Sequence, residues 1–152
     1  DRIWKAWRRL PPAAFGADVL VGFPGETDAD FDQTRRLIAD LPLTYLHVFP
    51  YSPRPGTVAA GLPDQVSPPV RKERRRLLFE LAAVKGRAFR QSLLGRTLSV
   101  VTLHEPHPAG TVGLSDNYVK VLLAGDPLPA NRLVEVRATG VAGEFVTAVP
   151  EE

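Results

Sequence analysis

The spacing of the apolar residues changes near residue 96, and this change divides the 152-residue chain into two kinds of structure. Before it, apolar runs alternate with segments at helical spacing, which is typical of α/β proteins. After it, short runs rich in β-branched residues have a period of two and are punctuated by glycine, which predicts a small all-β barrel or sandwich. The sequence therefore predicts an α/β part followed by an all-β part.

The first third of the chain has the pattern strand, helix, strand. Apolar runs at 17–21 and 45–49 predict the strands, and the helix between them begins after a capping Thr27 and ends at Pro42. Such a crossover implies that the strands are parallel. Because two parallel strands leave sheet edges unpaired and supply too little core, we expect partner strands upstream of Asp1.

A proline-rich loop at 50–69 leads into a long basic segment. Residues 71–96 hold nine basic and two acidic side chains, although the net charge of the whole chain is only +2. Apolar residues at helical spacing predict one helix that ends before Gly95 and has an Arg-rich face: Leu77, Leu81, Val84 and Ala88. The charge fits a polyanion partner, and a solvated helix face is the alternative.

The composition excludes several classes of chemistry. The chain has no cysteine, so it forms no disulfide, supplies no thiolate to zinc or an iron–sulfur cluster, and has no cysteine nucleophile. It also lacks methionine and begins at Asp1, so we expect a piece of a longer protein. No run approaches the roughly 18 apolar residues of a membrane helix, and none resembles a signal peptide, which favours a cytoplasmic protein.

Two loops lie where α/β proteins place their ligands, at the carboxyl ends of strands. Residues 22–27 open a helix with two glycines and free amides that can face an anion, and a tight capped turn is the alternative. Residues 51–57 leave the second strand with a phenol, two hydroxyls and a guanidinium, and a proline-stiffened strand exit is the alternative. Because the strands are parallel, we expect both loops over one mouth.

Three ordered segments between residues 17 and about 92 carry a family resemblance. They are Val21-Gly22-Phe23-Pro24-Gly25-Glu26-Thr27 with Asp30-Phe31, Leu46-His47-Val48-Phe49-Pro50-Tyr51-Ser52-Pro53-Arg54-Pro55-Gly56-Thr57, and Ala59-Ala60 with Pro63-Asp64-Gln65-Val66, continuing through Lys72-Glu73-Arg74. Together they resemble the radical SAM methylthiotransferases. Within that family, the strand before Tyr51 is most similar to that of the threonylcarbamoyladenosine tRNA methylthiotransferases.

The last third resembles a TRAM domain, the small RNA-binding β-barrel that ends these enzymes. The matching residues are Gly113, Asn117-Tyr118-Val119-Lys120-Val121, Gly125-Asp126 and Val134-Glu135-Val136. The chain departs from the pattern at Leu114-Ser115, where many relatives carry an Arg-Thr pair.

The resemblance implies an α/β plus all-β fold. Residues 1–66 would be the last βαβ portion of a radical SAM partial TIM-like barrel, 67–94 a basic connecting helix, and 95–152 an OB-like TRAM barrel. It implies a parent transferase that uses S-adenosylmethionine and two 4Fe–4S clusters to methylthiolate C2 of N6-threonylcarbamoyladenosine at position 37 of tRNA. Every cluster ligand in that chemistry is a cysteine, so we expect this chain to be inactive alone, with no cofactor bound.

The resemblance also implies roles for individual residues, with no catalytic residue and no metal ligand among them. On the S-adenosylmethionine side it places Val21, Gly22, Phe23, Gly25 and Glu26, and toward the substrate Tyr51, Ser52, Arg54 and Thr57. For the tRNA anticodon stem-loop we predict contacts from Arg71, Lys72, Arg74, Arg75, Arg96, Asn117, Tyr118 and Lys120. A tyrosine buried in the barrel is the alternative for Tyr118.

Three other hypotheses remain open on the sequence. The chain is a stand-alone RNA-binding module with a non-catalytic α/β remnant, or its parent acts on isopentenyladenosine tRNA. Alternatively, residues 96–149 serve as an interdomain or dimer contact and do not read RNA.

Overall fold

The structure is a computed structural model, and it describes residues 2–10 and 13–151. These residues form two compact units, one of residues 2–10 and 15–86 and the other of residues 13–14 and 87–151. The outer bounds of the predicted parts, residues 1 and 152, lie outside the described residues. In chain order the elements are α1 Arg2–Arg9, β1 Gly16–Val21, α2 Asp28–Asp40, β2 Tyr45–Pro50, a 3-10 helix Val58–Gly61, α3 Pro68–Ser92, β3 Thr97–His107, β4 Gly110–Ser115, β5 Lys120–Leu123, β6 Leu133–Ala142 and β7 Phe145–Pro150.

The first unit is built on a parallel pair of strands, β1 and β2, in register from Gly16↔Tyr45 to Val21↔Pro50. This confirms the predicted parallel pair. Alternate side chains point to opposite faces of a strand. One face carries buried residues that pack with α2 and α3: Val21, Leu46 and Val48, against Phe31, Ile38 and Leu78. The other face leaves Leu20, Tyr45 and Phe49 exposed.

Helix α2 begins at the predicted capping residue. The Thr27 Oγ1 accepts a hydrogen bond from the Asp30 backbone N–H at 3.2 Å, and the Asp30 carboxylate accepts one from the Thr27 backbone N–H at 3.0 Å. This reciprocal capping box satisfies two N–H groups that a helix start leaves unpaired. Hydrogen bonds from the Thr27 side chain and backbone also lower the pKa of Asp30. The helix ends at Asp40, with Leu41 as its C-cap directly before Pro42, as predicted.

Helix α3 is the predicted long basic helix, but its buried stripe differs from the prediction. Leu78 is completely buried, whereas Val84, which was placed in the apolar stripe, is 67% exposed. Leu77, Leu81 and Ala82 pack beside Leu78 against the core of the first unit. The buried face of α3 is therefore centred on Leu78, and Val84 lies on the exposed side of the helix.

The second unit contains a closed five-stranded barrel with strand order β3-β4-β5-β7-β6, in which β6 pairs back to β3. All its pairs are antiparallel except β5 with β7. Its core consists mainly of branched aliphatic side chains, including Leu98, Val100, Val121, Val136 and Val146. The coarse prediction of an α/β part followed by a β-barrel is therefore confirmed.

Helix α1, which buries none of its residues, and strand β4 were not predicted from the sequence. We interpreted the glycines of β4 as turn signals. In the structure Gly113 lies inside the strand, where an added Cβ would be 2.3 Å from Val100 Cγ1 and 3.1 Å from Val101 O. Glycine is therefore needed at this position for close packing of β3 on β4. Within residues 2–10 and 13–151, no helix is long and apolar enough to cross a membrane.

The first prediction concerns Leu78. Replacing it with alanine should lower the free energy of unfolding by about 2–5 kcal/mol, because the change leaves a cavity in a fully buried site. Val84→Ala is the matched control on the same helix, and it should change the free energy by no more than about 0.5 kcal/mol. Urea unfolding followed by circular dichroism measures both. Equal effects of the two substitutions would contradict the assigned buried face.

Candidate functional site

The two predicted loops lie side by side at the carboxyl ends of β1 and β2. The Tyr51 backbone N–H donates to Val21 O at 2.8 Å, which joins the two strand ends. The rings of Phe23 and Tyr51 meet edge to face with centroids 5.4 Å apart. We call residues 22–27 the glycine loop and residues 51–57 the tyrosine loop. The prediction that the two loops lie side by side is confirmed.

Arg71 links the two loops. Gly22 has φ +73°, and a Cβ at this position would lie 2.2 Å from Arg71 Cγ, so the arginine stem packs directly on the glycine backbone. The Arg71 guanidinium donates to the Tyr51 carbonyl oxygen at 2.5 Å. Arg71 was predicted as an RNA contact. The structure instead gives its side chain a position between the loops.

A buried ion pair fixes the glycine loop to α3. Glu26 Oε2 accepts from the Gly22 backbone N–H at 2.5 Å and from Arg74 Nη1 at 2.6 Å. Arg74 Nη1 also donates to the Glu26 carbonyl oxygen at 3.0 Å, and Nη2 donates to Asp28 Oδ1 at 2.7 Å. The side chains of Arg74 and Glu26 are only 6% and 14% exposed. We call this interaction the Glu26–Arg74 pair.

The Glu26–Arg74 pair changes the interpretation of two predicted site residues. Burial works against the charge of Arg74, but hydrogen bonds to Asp28 and Glu26 raise its pKa above the ordinary value. Because the guanidinium is buried and bonded to these carboxylates, Arg74 is not available to RNA phosphates. Glu26, predicted on the cofactor side, directs its carboxylate to Gly22 and Arg74. Both residues therefore stabilise the loop.

The remaining residues of the two loops differ in how much they present to the mouth. Val21 is completely buried in the core, so its side chain does not wall a pocket. Thr57 caps the 3-10 helix, and its hydroxyl donates to Arg54 O at 2.8 Å. Phe23, Gly25, Ser52 and Arg54 are exposed. The Tyr51 hydroxyl is buried and has no hydrogen-bond partner among the described residues.

Two of the predicted cations on α3 are exposed to solvent and have no carboxylate partner among the described residues. Lys72 and Arg75 are exposed, and neither forms an ion pair within residues 2–10 and 13–151. Together with Tyr51, Ser52 and Arg71 they line a cleft of about 330 Å³. The neighbouring Arg76 differs, because it pairs with Glu73 and Glu80 on the same helix.

The predicted RNA residues of the barrel lie in and around one turn. Asn117 is 7% exposed, and its Oδ1 accepts from the Ser115 hydroxyl at 2.6 Å, so this side chain holds the turn and does not face solvent. The turn projects Tyr118, which is 81% exposed and has φ +60°. The Tyr118 ring is therefore exposed, as an RNA contact requires. The alternative of a tyrosine buried in the barrel is excluded.

Lys120 and Arg96 are the remaining predicted residues. Lys120 Nζ forms an ion pair with Glu105 at 2.9 Å and lies 5.7 Å from the centroid of the Phe145 ring. The hydrogen bond to Glu105 raises the pKa of Lys120. Arg96 is exposed, and its Nε donates to Ser92 O at 3.2 Å, at the end of α3.

Three residues that shape these surfaces were not predicted from the sequence. Phe79 lies under the guanidinium of Arg75, with 4.6 Å between Cζ and the ring centroid. Because Phe79 is four residues after Arg75 on a predicted helix, the spacing alone could have predicted that the two side chains are neighbours. Asp28 and Phe145 were also missed, because their partners, Arg74 and Lys120, lie on other elements.

A strand–glycine loop–helix unit with a basic helix, followed by a separate β-barrel, defines the class of this chain as a mixed α/β protein with an appended barrel. No protein-family model matches the chain. It is 37% identical over 145 residues to the tRNA-2-methylthio-N(6)-dimethylallyladenosine synthase of Chromobacterium violaceum, covering 91% of this chain and 33% of that protein. It is 34% identical over 161 aligned residues to the threonylcarbamoyladenosine tRNA methylthiotransferase MtaB of Bacillus subtilis, covering 100% and 36%.

A third relative is the tRNA-2-methylthio-N(6)-dimethylallyladenosine synthase of Coxiella burnetii, 37% identical over 139 residues and 90% of this chain. The chain is thus a homologue of the tRNA methylthiotransferases, which are transferases, over nearly its whole length. It spans about one third of the length of these curated relatives.

The second prediction concerns the Glu26–Arg74 pair. Arg74→Gln should lower the free energy of unfolding by about 3 kcal/mol, because the change leaves the Glu26 carboxylate buried without its cation. Arg76→Gln removes an arginine whose ion pairs are exposed, two positions further along the helix, and should have little effect. Urea unfolding measures both. Equal losses in the two variants would contradict the structural role of the Glu26–Arg74 pair.

Proposed function

We propose that this chain is the C-terminal part of a tRNA methylthiotransferase that modifies C2 of N6-threonylcarbamoyladenosine at position 37 of tRNA. The observation that carries the proposal is its similarity to tRNA methylthiotransferases along 90–100% of its length. The Leu46–Pro50 segment, which resembles the threonylcarbamoyladenosine enzymes, supports the choice of substrate. A tRNA substrate also supports a cytoplasmic location.

The first unit would supply part of the pocket for S-adenosylmethionine, which supplies a radical when it is bound and cleaved. Gly25 supports this assignment, because no atom lies within 4 Å of the position that its Cβ would take, so a ligand can approach its Cα, although its N–H already donates to Asp64 O at 2.9 Å. Phe23 presents an exposed aromatic surface beside it. The buried Tyr51 hydroxyl has no hydrogen-bond partner among the described residues and could bond to a ligand. Ser52 and Arg54 would face the substrate. This unit would correspond to the end of a radical SAM barrel.

The iron–sulfur clusters do not fit the residues of this chain. The sequence contains no cysteine, and cluster iron is held by cysteine thiolates. In the described residues no group of three or more potential ligand side chains is placed to hold a metal ion. We therefore propose that the chain helps to position S-adenosylmethionine and the substrate, and we expect it to be inactive alone.

The barrel would be the RNA-binding TRAM domain. Its closed five-stranded form with one parallel pair supports an OB-like barrel, a fold that binds oligonucleotides on its surface. The exposed Tyr118 ring offers a stacking surface, and the exposed Arg96 offers positive charge to phosphates, whereas Lys120 would have to exchange its Glu105 partner for a phosphate. The partner would be the anticodon stem-loop of tRNA.

A second candidate substrate is the dimethylallyl (isopentenyl) adenosine of tRNA. Two relatives whose names give this nucleoside are 37% identical to the chain, compared with 34% for the threonylcarbamoyladenosine enzyme.

The third prediction tests the activity in the parent protein. Expressing the parent gene in bacteria that lack their own threonylcarbamoyladenosine methylthiotransferase should restore the 2-methylthio nucleoside, as measured by mass spectrometry of digested tRNA. The 152-residue chain alone should restore none, because it lacks cluster ligands. Expression in bacteria that lack the dimethylallyladenosine enzyme is the matched comparison.

Restoration only in the second strain would favour the second substrate. If the gene begins near Asp1, or lacks a C-x-x-x-C-x-x-C triad upstream, the proposal of an enzyme is wrong and a stand-alone RNA-binding module takes its place.

The fourth prediction tests the barrel. Tyr118→Gly removes the exposed ring at a position with positive φ, so the free energy of unfolding should change by no more than about 1 kcal/mol. Affinity for an anticodon stem-loop should fall about tenfold, because stacking of one base is lost. Fluorescence anisotropy measures the binding. Unchanged affinity would remove the RNA role of Tyr118 and favour a protein contact on this surface.

A further inference from the structure

Arg75 and Phe79 form an exposed stacked pair on α3. The Arg75 guanidinium lies over the Phe79 ring at 4.6 Å, and both side chains are exposed, Phe79 by 42%. At this distance the cation and the ring form a cation–π contact, and the planar guanidinium of an exposed arginine can in turn stack on a further ring. Guanidinium planes and aromatic rings are the surfaces on which proteins stack unpaired RNA bases.

Two clefts adjoin this pair. The cleft of about 330 Å³, at the tyrosine loop, contains Lys72 and Arg75. A second cleft of about 570 Å³ contains the same two cations and adds Phe79 with the apolar side chains of Pro69 and Ala83. Lys72 and Arg75 thus line both clefts, and Phe79 gives the larger cleft an aromatic wall. Both volumes are in the range of small-molecule sites.

The charges around the clefts favour an anionic ligand. Helix α3 has no acidic residue in its first turn, so no carboxylate there offsets the cations of the turns that follow. The two carboxylates of the larger cleft, Glu73 and Glu80, both pair with Arg76. Lys72 and Arg75 are therefore left without a carboxylate partner in the part of the chain that the structure describes, and a phosphate would relieve their repulsion.

We infer that α3 binds one unpaired nucleotide of RNA, with its base stacked on the Arg75–Phe79 pair and an adjacent phosphate at Lys72. This inference rests on the proposed tRNA function and adds a nucleotide site to it, outside the barrel. A base needs a flat surface on which to stack, which the Arg75–Phe79 pair supplies. Its phosphate needs a cation without a carboxylate partner, which Lys72 supplies beside the same clefts. An acidic peptide would satisfy the charge but would leave the stacking surface unused.

The test uses the 152-residue chain and a labelled single-stranded oligoadenosine RNA, compared with the same RNA carrying abasic positions. Arg75→Lys keeps the charge but loses the plane, and Phe79→Leu keeps the apolar volume but loses the ring. Each should weaken binding of the oligoadenosine about tenfold and change binding of the abasic RNA little. Fluorescence anisotropy gives the dissociation constants, and circular dichroism confirms that each exposed substitution leaves the chain folded.

Lys72→Gln should weaken binding of both RNAs. It should also reduce the slope of log affinity against log salt by about 0.7, the value for one phosphate contact in a single strand. Arg36→Gln is the matched control, because Arg36 is an exposed cation on α2 that pairs with Asp32. Arg36→Gln should leave the affinity for both RNAs and the salt slope nearly unchanged.

Failure of this inference is distinguishable from failure of the proposed function. If Arg75→Lys and Phe79→Leu leave oligoadenosine binding unchanged while Tyr118→Gly weakens RNA binding, the nucleotide site on α3 is wrong and the tRNA function stands. If these two variants weaken binding of both RNAs equally, their effect does not depend on the base, and the stacking site is overturned. If either variant loses its fold, the remaining variant and Lys72→Gln decide the question.

Discussion

The Glu26–Arg74 pair is the interaction on which the rest of the first unit depends. A single carboxylate accepts hydrogen bonds from the glycine loop and from α3, and the arginine also reaches Asp28 at the start of α2. Since a buried charge is costly without its partner, the loop and the two helix starts are stabilised together. Arg71 adds a parallel link, from the Gly22 backbone to the Tyr51 carbonyl.

This organisation divides the cations at positions 71–76, near the start of α3, into two groups. Arg71, Arg74 and Arg76 have contacts within the protein, to backbone oxygen or to carboxylates. Lys72 and Arg75 do not form ion pairs among the described residues, and they line the clefts next to Phe79. The proposed RNA role therefore depends on few charges, and the net charge of the segment overstates how many are free to meet phosphates.

The sequence predicted the elements better than the contacts between them. Local signals placed the parallel strands, the Thr27 cap and the end of α2, because turn chemistry and apolar spacing act within a few residues. Arg74 was misassigned because its partner Glu26 is 48 residues away, and Asn117 because its burial depends on the barrel. Strand β4 was missed because a glycine needed for packing resembles a glycine that ends a strand. The roles proposed for the loop residues remain predictions.

The central claim is that this chain holds tRNA through α3 and through the turn at Tyr118. Nuclear magnetic resonance of the isotope-labelled 152-residue chain, titrated with an anticodon stem-loop, tests it most directly. We predict the largest shift changes at Lys72, Arg75 and Phe79 and at the Tyr118 turn, weakening together as salt increases, with little change at the buried Arg74. No shift changes at low salt, or changes confined to other surfaces, would contradict the account.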